Sequence, residues 1–263
     1  MPLFWQLTKR SFQRQLTYRA AVFAGFVTNF AFGLFRIAII IALYGDRQIV
    51  AGVDVQGGIT YMVLIQAVIG YLSLFSWYDL MHSVHSGEVA ADLLKPMNLF
   101  TFWLAKDLGR ALVQFLFRGL LIILLYSLFF DLAYPSNLTQ WMGLATAVVL
   151  SWLVSFAWRF LLNLTAFWTP NAVGIVRFFF VLSWFFSGFL MPLRYFPDWV
   201  IRIANLTPFP HTLNTVMDVY IGALQGTALI QALLMQVLWA LILIALGQLT
   251  LRAGVKRLVI LGG

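Results

Sequence analysis

Six apolar segments, at about residues 20–44, 59–78, 102–130, 141–164, 172–190 and 228–251, take up over half of this 263-residue chain. A helix needs about 20 apolar residues to cross roughly 30 Å of hydrocarbon, and each segment meets or approaches that length. Lipid offers no hydrogen bonds, so such segments satisfy their backbone internally as helices. The composition agrees: 62% of residues are hydrophobic and 10% charged, against about 45–50% and about 25% in soluble domains. That hydrophobicity excludes a disordered chain, and the absence of cysteine excludes a disulfide scaffold and thiol redox chemistry. The expectation is an all-α integral membrane protein of six transmembrane helices, with no repeat, low-complexity tract or long linker dividing it.

Charge sets the orientation. The net charge is +8, and its distribution speaks for topology and against a nucleic-acid partner. With the N-terminus inside, Lys9, Arg10, Arg14, Arg19, Lys95, Lys106, Arg110, Arg159, Arg177, Arg252, Lys256 and Arg257 gather on the cytoplasmic side, and only Arg47, Arg194 and Arg202 fall outside. Six spans then return the C-terminus to the cytoplasm. The basic N-terminus precedes a run too long for a signal-peptide core and is expected to stay on the protein. Tyr44, Tyr61, Tyr134, Trp141 and Trp199 would anchor the outer interface, and Trp5, Trp77, Tyr78, Trp103 and Trp168 the inner one.

Three segments differ from ordinary spans. Residues 1–19 are basic and aromatic, suited either to a charged topology anchor or to an interfacial helix. Residues 79–98 join spans two and three on the cytoplasmic side. There the helix of span two is expected to run past His82 and His85 to Gly87, followed by a short helix from Glu88 to Leu94 that ends at Pro96. Leu93 and Leu94, beside Asp92 and Lys95, suit a groove on another protein or a turn touching the membrane surface. Residues 191–222 carry Pro192, Pro197, Pro208 and Pro210, which forbid a continuous span. Asp198 is a candidate cap for a short helix bearing Trp199, Val200, Ile203 and Ala204, and the whole reads as short helices dipping into the outer leaflet.

Catalytic chemistry finds little to work with. No glycine directly precedes a lysine, so no P-loop exists to hold ATP, and neither HExxH nor G-x-S-x-G occurs. Asp79, His82, His85 and Glu88 recur every third residue. That step drifts by about 60° around a helix, so all four cannot face one metal, and no metal or catalytic residue is assigned. Intramembrane charge is more informative, since an arginine at depth must be paired, wet or snorkelling. Arg36 lies near the outer end of span one and fits either snorkelling or a cavity role. Arg118 is deeper and reads as buried or cavity-facing, with Gln114 one turn away. These three are the substrate-pathway candidates. No acid sits at depth beside either arginine, which counts against a proton-coupled carrier. Ala21, Gly25, Asn29 and Gly33 recur at i+4 and form a smooth face for close helix approach, within the subunit or in a dimer. Ser183 and Ser187, with Gly188, give span five a weaker version. The N-x-T tripeptides at Asn137, Asn163 and Asn205 are read as chance.

Three features together, the basic segment before span one, the SGEVAADLLKP of residues 86–96 and the FSGFLMPLRYFPDWVIRIANLTPFP of residues 186–210, resemble the permease subunits of ABC-2-type ATP-binding-cassette exporters. The resemblance runs over nearly the whole chain. It implies that Ser86, Gly87, Glu88, Val89, Asp92, Leu93, Leu94, Lys95 and Pro96 contain the coupling helix that seats in a separate ATPase. It implies too that residues 1–19 are an interface segment of a transmembrane domain spanning residues 20–263, and that residues 191–222 are extracellular re-entrant helices. Two permeases, identical or sister chains, would pair through spans one and five in a bacterial inner membrane. This chain would carry no cofactor, ATP and Mg being held by the ATPase subunits. The rival reading is an ion-gradient-driven secondary transporter or channel. A substrate with an anionic head and an apolar tail would suit the rare arginines.

Overall fold

The basic N-terminal segment forms α1 (Pro2–Thr17), and the first span forms α2 (Arg19–Tyr44). This computed structural model describes residues 2–17, 19–75 and 77–257, with the side chains of Arg19 and Ala21 outside the description. After α2 a small antiparallel hairpin of β1 (Ile49–Val50) and β2 (Val53–Asp54) turns the chain into α3 (Val55–Leu72). Asp54 caps α3 by accepting from the Gly57 amide at 2.8 Å. Two short helices follow, α4 (Asp79–His85) and α5 (Val89–Leu93). The third span comprises α6 (Leu99–Gln114), one π-helical turn over Phe115–Gly119, and α7 (Leu120–Ser127). The long α8 (Leu138–Asn163) starts from the Asn137 side chain, which accepts from the Gln140 amide at 2.8 Å. Then come α9 (Ala172–Phe186), α10 (Asp198–Asn205), α11 (Asn214–Tyr220) and α12 (Gly226–Val255).

Among the described residues five stretches are long and apolar enough to cross a membrane: Val22–Tyr44, Val55–Leu72, Leu99–Ser127, Leu138–Phe167 and Gly226–Val255. The expected fifth span, residues 172–190, is helical only over Ala172–Phe186, 15 residues, or about 22 Å at 1.5 Å per residue. Its expected last turn breaks at Gly188, whose φ of +83° admits glycine and little else. Span two also ends early. The expected continuation to residue 78 and beyond stops at Leu72, where Ser73 adopts a left-handed conformation (φ 49°, ψ 49°). Asp198 does not cap α10 as expected: Pro197 holds the cap position and Asp198 is the first helical residue.

Span two lies at the centre. Tyr61, Val63, Ile65 and Leu72 are fully buried, and α3 packs against α2, α6, α7 and α8. The N-terminal helices follow span three in the same direction. Ser11 bonds the Lys106 carbonyl at 95 residues' separation, and Tyr126 bonds the Phe30 carbonyl at 96. Alpha1 therefore runs beside α6, and α2 continues beside the π turn and α7. Gly109 permits the close approach, because a Cβ there would collide with the α1 backbone around Thr8 and Phe12. On the far side α8 pairs with α12. Gln236 of α12, fully buried, donates to the Ala147 carbonyl (3.2 Å) and to the His211 carbonyl (2.9 Å).

Candidate functional site

At the end of the molecule bearing α1, α4 and α5, the chain builds a polar cavity of about 840 Å³, walled by Arg14, His82, Glu88, Asp92 and Lys106 among others. Its rim is the segment the sequence marked for coupling. Gly87 turns the chain with φ +80°, and Val89, completely buried, anchors the short helix into the apolar cluster of Trp77, Leu80 and Phe156. Ser86, Glu88 and Pro96 are exposed. Asp92 and Lys95 form an ion pair of 2.6 Å, with the lysine 3.9 Å over the Phe102 ring. The two leucines part company: Leu93 packs inward, whereas Leu94 is 88% exposed.

Behind this cavity the break after span two is held by side chains of three other helices. In lipid the carbonyls freed there must find donors. Arg110 donates to the Gly70 and Tyr71 carbonyls at 2.8 and 2.9 Å, and Ser155 to that of Leu72 at 3.1 Å. Trp184 supplies the Leu74 carbonyl at 2.8 Å. Asn163 donates to the Trp77 carbonyl at 2.8 Å and accepts from the Met81 amide at 3.1 Å. The polar residues thus stitch a bent strip of backbone into the bundle.

Asp107 ties this region together. Fully buried, it accepts from Arg110 (2.8 Å), from Arg159 (3.0 and 3.2 Å) and from the Trp152 indole (2.8 Å). Arg159, read in the sequence as a cytoplasmic topology charge, is 1% exposed and belongs to the core. The physical reason is its acid: a buried guanidinium is tolerable when a carboxylate neutralises it. Nothing in the sequence signalled the pair, which lies 52 residues apart.

The pathway candidates occupy two levels. Gln114 and Arg118 sit on the inward face of span three at the π turn. Arg118 has its Nη1 3.4 Å from the side-chain Oε1 of Gln114 and its guanidinium against Gly25. Arg36 is partly buried and committed to the backbone. It donates to the carbonyls of Phe189 and Leu190, at the broken end of span five, and stands 4.3 Å over the Phe189 ring.

At the opposite end of the molecule the proline-cut segment is anchored by polar contacts. Asn214 accepts from the Tyr61 hydroxyl (2.9 Å) and from the Leu193 amide (3.1 Å), and donates to Asp218 at 2.8 Å. Asp218 also pairs with Arg194 at 2.9 Å, and Tyr44 shares a 2.7 Å hydrogen bond with Tyr195. Burial pushes the Asp218 carboxyl up despite Arg194, and pushes the His211 imidazole down to about 4.

The small-residue faces are filled within the subunit. Asn29 donates to the Gln66 carbonyl at 3.0 Å, Gly25 abuts Arg118 and Gly33 abuts Tyr126. The side chain of Ala21 lies outside the described residues. Ser183 and Ser187 are buried and bond their own helix, at the Phe180 and Trp184 carbonyls. Of the two alternatives the sequence left open, the described contacts of these residues are the ones within the chain. What remains open on α2 is the bulky side, with Phe23, Phe32, Phe35 and Ile39 exposed, and on α9 Phe178 and Val181.

Among curated proteins none matches the chain. A sequence model of the ABC-2 family transporter protein does, over residues 30–262. That match takes in the later part of span one, every following span, the protruding α4 and α5 and the proline-cut segment. The chain belongs to the ABC-2 family of transporter proteins, and is a multi-pass membrane permease of an ABC transporter.

Proposed function

We propose that this permease works in an ATP-driven exporter of a bacterial inner membrane, seated on separate ATPase subunits that hold ATP and Mg. With a second permease, identical or a sister chain, it forms the translocation pathway. The family's members are membrane subunits and not themselves catalytic, so the motor belongs on another chain. Nucleotide acts here only through its differential binding to two states of that motor.

The observation that carries the reading is the tip at α5. A large apolar side chain, Leu94, stands 88% exposed between the paired Asp92 and Lys95, just past the end of a short helix that Val89 bolts into the core. That is the form of a small knob for a partner's groove. The opposing pathway wall would meet the bulky, open faces of α2 and α9.

A detergent pull-down of the tagged chain from its native membrane tests this. Recovery of a soluble Walker-motif ATPase is expected, with at least about tenfold less after Leu94→Asp, since a buried carboxylate in the groove costs several kcal/mol. Leu93 is left alone because it packs inward. Recovery of the chain without an ATPase, in a form that moves solute down an ion gradient, would overturn the exporter.

A further inference from the structure

Among the described residues the Arg118 guanidinium has no anionic partner. Its Nη1 has only the long contact to Gln114, and its buried Nε has no hydrogen-bond partner. The four ion pairs among the described residues use Asp92, Asp107 twice and Asp218, none of them near it. Arg110, about two turns earlier, is already committed to Asp107 and to two backbone carbonyls. A permanent cation at membrane depth with an unused donor is costly unless an anion or water answers it.

The surroundings leave room for one. Arg118, Gln114, Ser73 and Gly70 border an open cleft of about 210 Å³ between the end of span two and span three. That is several times the roughly 30 Å³ a water molecule occupies, and enough for a phosphate-sized group with part of its hydration. Arg118 lies within the π turn, a helix defect frequent at functional sites. Phe75, 45% exposed, forms the apolar lip of the cleft and meets Trp184 of span five and Phe189 just beyond it edge to face. Polar head space and an aromatic lip thus adjoin.

We infer that Arg118, with Gln114, is a binding site for the phosphate-type anionic headgroup of an amphiphile whose tail lies along Phe75. The lip and the surrounding lipid favour an amphiphile over a free anion. The inference extends the exporter reading to a substrate class, and the two can fail separately.

The test is native mass spectrometry of the full chain, with whatever ATPase co-purifies, after equilibration with phosphatidylglycerol or phosphatidylcholine. Arg118→Gln is expected to lose one tightly held phosphatidylglycerol with about a tenfold or greater drop in affinity, a charge-assisted bond being worth roughly 1.5–3 kcal/mol. Phosphatidylcholine binding stays unchanged, and Arg118→Lys retains part of the effect. Gln114→Glu leaves the arginine in place and supplies an internal counter-ion, so it is expected to lose the same lipid even if Arg118→Gln folds poorly. Equal phosphatidylglycerol binding in Gln114→Glu and the parent overturns the site. Displacement of that lipid by millimolar inorganic phosphate alone overturns the amphiphile and leaves a free-anion site. Loss of the ATPase with the lipid difference intact tells against the motor and not against this site.

Discussion

One carboxylate serves two cations at Asp107, so its partners are not equivalent. Asp107→Asn leaves the buried Arg159 without a counter-ion and takes from Arg110 its carboxylate. It should cost about 3–5 kcal/mol, the range for breaking a buried pair. Arg159→Met leaves Asp107 neutralised by Arg110 and still bonded to Trp152, and should cost clearly less. Thermal unfolding in detergent, read side by side, would show the order, and an equal loss would mean the two arginines do not share the charge. His211 makes a second residue-scale statement. Its free value is near 6.5 and its folded value is lowered to about 4 by burial. Between those values the unfolded chain binds a proton that the folded chain refuses, so its contribution is whole above pH 6.5 and declines as pH falls to about 4. His211→Gln, which cannot titrate, should show the flatter pH dependence of melting over that window. Neither residue was legible beforehand. Asp107 sits among ordinary helix-end charges and Arg159 reads as an inner-side cation until the fold brings them together.

At the scale of elements, apolar length and proline placement were legible and helix ends were not. Residues 73–78 contain no glycine or proline to mark the break after Leu72. What makes that break affordable is tertiary: donors from Arg110, Ser155, Asn163 and Trp184 arrive from three other helices. The proline-cut segment was readable because proline acts locally, whereas Gly188 looked like part of a smooth helix face and proved to be the hinge that ends the helix. The i+4 face of Gly25, Asn29 and Gly33 was correctly seen as a close-packing surface, but a period cannot name the helix it meets. For α1 the deciding contact is Gly109. A Gly109→Leu substitution should lift α1 from span three while leaving the remaining bundle folded. Because the chain has no cysteine of its own, Ser11→Cys and Lys106→Cys can report this directly. Their cross-link should form in the parent and fail in the leucine variant, and persistence of the cross-link would show that α1 is held elsewhere.

Across the whole molecule, interior and exterior obey different rules. Polar side chains inside are almost all spent on backbone carbonyls and on one another, while the open sides of α2 and α9 are bulky and apolar. The close register of the N-terminal helices with span three has a further consequence for how the chain is made. Ser11 waits for a partner 95 residues downstream and Phe30 for one 96 downstream. At about 5–20 residues per second of synthesis that delay is roughly 5–20 s. Asn29 waits less, since Gln66 follows it by 37 residues. Span two thus reaches the glycine face first and keeps its one buried amide from facing lipid, and the remaining half of that face stays vacant until Arg118 and Tyr126 emerge from the ribosome to fill it.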